Sequence, residues 1–141
     1  MIILDTNIVS ALMRASADDD LVAEWLDAQP VQSIWTTTIT VFEVQLGIEL
    51  LPRSKRRNLL ELAFSRLIAN ELANRVLSFD AAAAVAAANL AANRQRAGRV
   101  VDIRDTQIAG IAISRRATIA TRNVKRFDDL SVSVVNPFVK N

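Results

Sequence analysis

The sequence predicts an α/β fold, a parallel sheet flanked by helices, and three observations carry that prediction. Short, continuously apolar runs such as Ile2-Ile3-Leu4 have the pattern of strands buried on both faces of a parallel sheet. They alternate with longer segments whose apolar residues recur at helical spacing. Acidic residues fall where strand gives way to helix, the edge at which open α/β sheets bind ligands. With 141 residues, 51% of them apolar, the chain can bury its own core, and it shows neither an internal repeat nor a linker. One domain over residues 1–141 is therefore expected.

Asp5 ends the first apolar run, and Ile8, Val9, Ala11 and Leu12 suit a helix capped by Thr6 or Asn7. Asp5 is thus either a helix-capping acid or a carboxylate facing the crevice beyond the sheet. Ser16, Asp18 and Asp19 are cap candidates for a second helix through Leu21, Val22, Trp25 and Leu26, closed by Pro30. Val31 to Thr38 is rich in β-branched residues and reads as the second strand. The helix after it carries Val41, Val44, Leu46 and Ile48, with Glu43 in its first turn. Thr40-x-x-Glu43 has the spacing of a capping box, yet the same Glu stands where it would enter the crevice with Asp5.

Pro52 separates this helix from one that opens on Arg53, Lys55, Arg56 and Arg57 and continues through Leu59, Leu60, Leu62, Phe64, Leu67 and Ile68. A basic first turn opposes the helix dipole and suits either a binding role or solvated exposure. Val76 to Phe79 reads as a short strand, and Asp80 caps an alanine-rich helix over residues 81–97 with Val85 and Leu90 on its apolar stripe. Those alanines permit close helix packing. Asp105 begins a further helix through Ile108, Ala109 and Ile111, and the ATIAT and SVSVV runs (residues 117–121 and 131–135) complete the sheet.

Absent residues narrow the chemistry. Without His or Cys, the chain has no Ser-His-Asp or Cys-His hydrolysis, disulfide or thiolate metal site. Its three glycines, Gly47, Gly98 and Gly110, form neither GxGxxG nor GxxxxGK[ST], so a glycine loop for nucleotide phosphates has no support. What remains is carboxylate chemistry with a metal held by oxygen ligands. No apolar run approaches the ~20 residues of a membrane helix and no secretory signal is visible, so a cytoplasmic protein without a membrane partner is expected. Charge is lopsided: residues 1–51 hold one basic side chain against eight acids, and residues 52–141 hold sixteen against seven. That distribution suits a polyanionic partner around an acidic centre, or a set of solvated helix faces.

Five strings then stand in order: DTN at 5–7, TVFEVQLG at 40–47, DTQIAGIA at 105–112, TRNVKRF at 121–127 and VVNPF at 134–138. Together they cover the length of the chain and resemble the PIN-domain ribonucleases, specifically the VapC and FitB-like toxins of bacterial toxin-antitoxin pairs. The resemblance implies a Rossmann-like parallel sheet whose strand-end acids bind Mg²⁺ or Mn²⁺. By motif, Asp5, Glu43 and Asp105 would be the metal-binding acids, and Asn123 falls at the fourth position, where TRD is common. Asn123 brings a carbonyl oxygen and no charge. Where a common variant of the string has an acid before the Phe, this chain has Arg126. Three acids and Asn123 favour one firmly held metal, with a second completed by substrate phosphate.

The resemblance further implies an RNA substrate, a cognate antitoxin whose C-terminal segment covers the groove, and a homodimer. Thr6, Asn7, Thr121, Arg122 and Arg126 are the expected substrate-binding residues, with Lys125, Arg99 and Arg104 steering phosphate on the approach. Trp25, Trp35 and Phe42 are antitoxin anchors or core aromatics, Asp102 is an extra ligand or a loop acid, and Asp128 and Asp129 lie just beyond the fourth motif. Two other readings remain at this level: a protein of the same fold that binds RNA or antitoxin without turnover, and a phosphoacceptor receiver domain. The latter lacks its usual paired acids after strand one and its late Lys.

Overall fold

A computed structural model of the chain describes residues 1–14 and 19–140; the cap candidates Ser16 and Asp18 lie outside them. Five strands pair in parallel in the order β3-β2-β1-β4-β5, with β1 Ile2–Leu4, β2 Ile34–Thr37, β3 Val76–Leu77, β4 Thr118–Ala120 and β5 Val134–Val135. Among the described residues six α-helices flank them: α1 Thr6–Met13, α2 Asp19–Asp27, α3 Thr38–Glu49, α4 Lys55–Arg66, α5 Ala81–Arg96 and α6 Ile103–Arg115. This is the expected α/β arrangement.

Strand alternation sorts the core into two. Leu4, Ile34 and Ala120 face a cluster supplied by α1 to α4, including Ile8, Val22, Val44, Ile48 and Phe64. Ile3 and Ile119 point the other way, onto Ile108, Ile111 and Ala112 of α6, Ala83 and Leu90 of α5, and Phe127. The register Ile3↔Ile119 and Leu4↔Ala120 keeps Ile3 and Leu4, one on each face of β1, fully buried. Each such Ile or Leu contributes roughly 1.5–3 kcal/mol of burial.

Helices α5 and α6 approach closely because small residues meet. A Cβ at Gly110 would lie 2.5 Å from the Ala83 carbonyl oxygen and 2.7 Å from the Ala87 Cβ. The buried stripe of α5 runs through Ala83, Ala87, Leu90 and Arg94, whereas Val85, expected on it, is exposed.

Three local expectations are corrected. Residues Val31–Ser33 form a 3-10 turn after Pro30, so the second strand starts only at Ile34. Helix α1 is capped by Asp5, whose Oδ1 accepts the Thr6 N–H at 2.8 Å, and not by Thr6 or Asn7. The cap of α3 is Thr37, whose hydroxyl accepts the Thr40 N–H, so the supposed Thr40–Glu43 capping box does not form and Glu43 lies in the second turn.

The basic opening of the fourth helix is partly structural. Ser54 caps α4, and Arg57 bonds Glu49 at 2.8 Å, Glu61 at 3.3 Å and the Leu51 carbonyl at 3.2 Å. Leu59 and Leu62, expected among the apolar positions, are exposed instead, as is Leu50. None of the helices among the described residues is long and apolar enough to cross a membrane.

Candidate active site

The carboxyl ends of β1, β2 and β4 bring the first, second and fourth motif strings together. Asp5 follows β1, and its N–H donates to the Ala120 carbonyl at 2.9 Å, extending the ladder one residue past the strands. Thr121 follows β4 and is fully buried. Its hydroxyl donates to Asp5 Oδ2 at 2.7 Å and accepts from the Asn7 amide at 3.3 Å and the Asn123 N–H at 3.1 Å. Asn7 closes the ring: its Nδ2 lies 3.4 Å from Asp5 Oδ2, and its Oδ1 accepts the Arg122 N–H at 3.0 Å.

This ring revises the expected role of Thr121. A buried hydroxyl spent on Asp5 cannot also bind substrate, so Thr121 holds the carboxylate in place. Asn7 ties the turn after β4 to the start of α1. Asn123 is exposed, and its backbone N–H links it to the ring. Arg122 is exposed too, with its guanidinium 4.4 Å above the Phe138 ring.

Glu43 and Asp105 have different company. Glu43 Oε1 accepts the Thr6 hydroxyl at 3.0 Å, that hydroxyl lies 3.1 Å from the Thr40 hydroxyl, and Glu43 Oε2 is 3.7 Å from Arg104 Nη1. Arg104 also lies 5.2 Å from the Phe42 ring centroid, and Phe42 is exposed, whereas Trp25 and Trp35 pack on the two cores. Asp105 is the third residue of α6, capped by Asp102, whose carboxylate accepts the Asp105 N–H at 3.0 Å. That bond explains Asp102 as a cap. Arg126 Nη1 donates to Asp105 Oδ2 at 3.1 Å.

Burial is the first influence on the protonation of Asp5 and Asp105. Asp5 is raised above the ordinary carboxylate value chiefly by burial, against which the Thr121 hydroxyl, the Thr6 N–H, Arg126 and Asn7 pull it down. Asp105 is pushed up to about 6, first by burial, then by the charge of Asp102, with Asp5 adding to it and Arg126 opposing.

The donor set is hard oxygen throughout, and two buried carboxylates, both raised chiefly by burial, suit a divalent cation such as Mg²⁺ or Mn²⁺. The expectation that three acids gather as one ligand set is not met: among the described residues no three acidic side chains stand close enough to hold an ion together. Thr6 and Arg104 draw Glu43 to one side. Asp105 feels the charge of Asp102 most and that of Asp5 after it.

Sequence reasoning missed Arg94. It is 4% exposed, donates to both oxygens of Asp129 at 2.9 and 2.8 Å, and reaches the Arg126 carbonyl at 2.8 Å and Thr106 Oγ1 at 3.4 Å. Its place on the stripe of Ala83, Ala87 and Leu90 is the signal that marks it: an arginine at a core-facing helical position needs a buried partner. Beside it a groove of about 320 Å³ is lined by Arg99, Lys125 and Arg126 together with Asp102 and Asp105. A second groove, of about 290 Å³, runs past Thr6 and Glu43 over Met13, Val44, Ile48 and Leu60.

The parallel sheet, covered by helices on both faces and with Asp5 at the end of its central strand, places the chain in a class of α/β domain with a carboxylate site at the carboxyl edge of the sheet. The chain belongs to the PIN domain family, whose pattern matches residues 2–132. It is 38% identical over 138 residues to the plasmid stability protein StbB of Pseudomonas syringae pv. tomato, covering 98% of this chain and 99% of that one. Identity to the VapC ribonuclease Y4jK of Sinorhizobium fredii is 34% over 138 residues, 98% of each chain. The crystal structure of FitAcB from Neisseria gonorrhoeae contains a chain that superposes with a TM-score of 0.89 at 32% identity, covering 99% of this chain and all of that one.

Proposed function

We infer that this chain is an endoribonuclease acting as the toxin of a toxin-antitoxin pair, with Mg²⁺ or Mn²⁺ as its cofactor. The observation that carries the reading is two buried carboxylates, Asp5 and Asp105, the second of which lines a basic groove, in a chain similar over its length to a VapC ribonuclease. Asp5 and Asp105 are the residues that would hold the cation, with Glu43 on the flank. When bound, such an ion supplies positive charge to the scissile phosphate and lowers the pKa of water beside it.

The remaining work falls to this chain's own side chains. Thr121, Thr6 and Asn7 fix the rotamer of Asp5, so that a desolvated carboxylate waits in one orientation. Arg122, with Arg126 and Lys125, lines the approach and binds RNA phosphates without reading sequence. Arg99 serves the same approach from the end of α5, where Asp128 at 3.0 Å holds it.

Partners follow from surfaces. The apolar floor of the groove past Glu43 suits the C-terminal segment of an antitoxin. Leu59 and Leu62 on α4 give a second apolar patch for a homodimer. Residues 1–141 would act as one cytoplasmic domain.

A binding-only reading draws on one fact, that Asn123 and Arg126 stand where related strings have acids. Both readings meet one test: cellular RNA incubated with antitoxin-free protein in Mg²⁺, Mn²⁺ or EDTA. Discrete fragments that require the metal are expected. Intact RNA in all three, with RNA still bound, would leave the binding-only reading.

A further inference from the structure

Among the described residues a cation, and no further acid, meets Asp105 on its outer side. After β4, the fourth-motif position is the neutral, exposed Asn123. The next acids along the chain are both engaged: Asp128 with Arg99 at 3.0 Å, and Asp129 with Arg94 at 2.8 Å and Arg99 at 3.4 Å. No carboxylate of the segment from Thr121 to Asp129 is therefore turned toward Asp105. What does reach it is Arg126, with Nη1 3.1 Å from Asp105 Oδ2.

That contact is delivered by the fold. The carbonyl of Arg126 is bonded at 2.8 Å by Arg94, a buried guanidinium that Asp129 grips through two hydrogen bonds. Arg94 also touches Thr106, the neighbour of Asp105 on α6. The backbone under Arg126 is thus tied through Arg94 to α5 and α6, while among the described residues its side chain is held by Asp105 alone. The Arg126 side chain is 58% exposed and that of Asp105 is 12% exposed, so the guanidinium caps the buried carboxylate from the solvent side.

We propose that Arg126 is a resident cation of this site: it occupies the outer oxygen of Asp105 in place of a second divalent ion, so the chain takes one ion, and the guanidinium carries the second positive charge to the RNA phosphate. The guanidinium lies on the solvent side of the pair, so its side chain can leave Asp105 into water once another anion takes it. A guanidinium also binds phosphate oxygens in the bidentate geometry it offers carboxylates. Arg126 therefore exchanges Asp105 for phosphate when RNA arrives. The proposal rests on the nuclease reading for its substrate, but its central claim, the ion count, is measured without RNA.

Mn²⁺ titration of the antitoxin-free full chain, followed by calorimetry and by electron paramagnetic resonance, gives that count directly. Wild type is expected to bind one Mn²⁺. R126A and R126Q, checked for native circular dichroism, are expected to bind one ion about fivefold more tightly, because the competing cation is gone. R126D is expected to bind two. For the phosphate contact, R126Q is expected to lower the salt dependence of RNA affinity by about one counterion. Two Mn²⁺ on wild type, or unchanged count and affinity in all three variants, would overturn the proposal while leaving the nuclease reading intact. No Mn²⁺ on wild type would overturn the proposal as well, and together with uncut RNA it would overturn the nuclease reading too.

Discussion

Asp5 and Asp105 are both buried carboxylates at the end of the same sheet, yet they are held by opposite means. Around Asp5 every hydrogen-bonding partner is neutral: the Thr121 hydroxyl, the Thr6 N–H and the Asn7 amide. Asp105, like Glu43, is met by an arginine whose side chain is half exposed, Arg126 in one case and Arg104 in the other. A neutral hydroxyl orients a carboxylate without cancelling its charge, whereas an exposed guanidinium cancels charge and can leave. One half of the site is locked and the other is exchangeable.

The locked half is broken most severely by T121V. The hydroxyl is buried and charge-assisted, and its loss leaves Asp5, Asn7 and the Asn123 N–H short of a partner. Destabilisation of about 2–3 kcal/mol is expected, read by urea unfolding. Asp5 should also be pushed further up, since that hydroxyl is the strongest influence holding it down.

In the exchangeable half, D105N is expected to stabilise the metal-free protein at pH 7. Folding raises Asp105 from 3.8 to about 6, so the folded chain holds a proton that the unfolded chain releases between those values. Its contribution to stability is present below pH 4, falls as pH rises and is lost above about 6. Replacing it removes a cost of about 2 kcal/mol at neutral pH, and nothing at pH 3. Unfolding in EDTA across pH 3–8 checks this: the gap between variant and wild type should open between pH 4 and 6.

R104Q should have the smallest effect. At 3.7 Å from Glu43 and with a 46% exposed side chain, Arg104 is expected to change stability by no more than about 0.5 kcal/mol, an effect that salt removes. A larger loss would show that Glu43 belongs to the locked half.

Much of this was legible in the chain. Apolar runs located β1 and β4, and the alanines of residues 81–92 anticipated the tight packing at Gly110. Of the acids expected at strand-to-helix transitions only Asp5 directly follows a strand: Glu43 lies one turn into α3, and Asp105 lies in the first turn of α6, which follows α5 with no strand between them. Strand two was overextended because β-branched composition says nothing of the turn that Pro30 starts at Val31. The cap of α3 was misplaced by three residues because Thr37, Thr38 and Thr40 offer several hydroxyls in a row, and local pattern does not choose among them. The arginine pairings were hidden for another reason: Glu43 with Arg104, Asp105 with Arg126 and Asp129 with Arg94 join segments distant in the chain. Only packing brings them together. Arg94 alone carried a signal, its position on a buried helical stripe.

Single-turnover cleavage of one RNA at saturating Mg²⁺, comparing wild type with D5N, tests the central claim most directly. D5N keeps the side-chain shape while removing the charge and one acceptor oxygen, leaving a single oxygen for the Thr6 N–H or the Thr121 hydroxyl. The account expects a native fold and a loss of at least about 100-fold in rate. Cleavage by D5N at the wild-type rate would contradict it, because the locked carboxylate would then have no part in the chemistry.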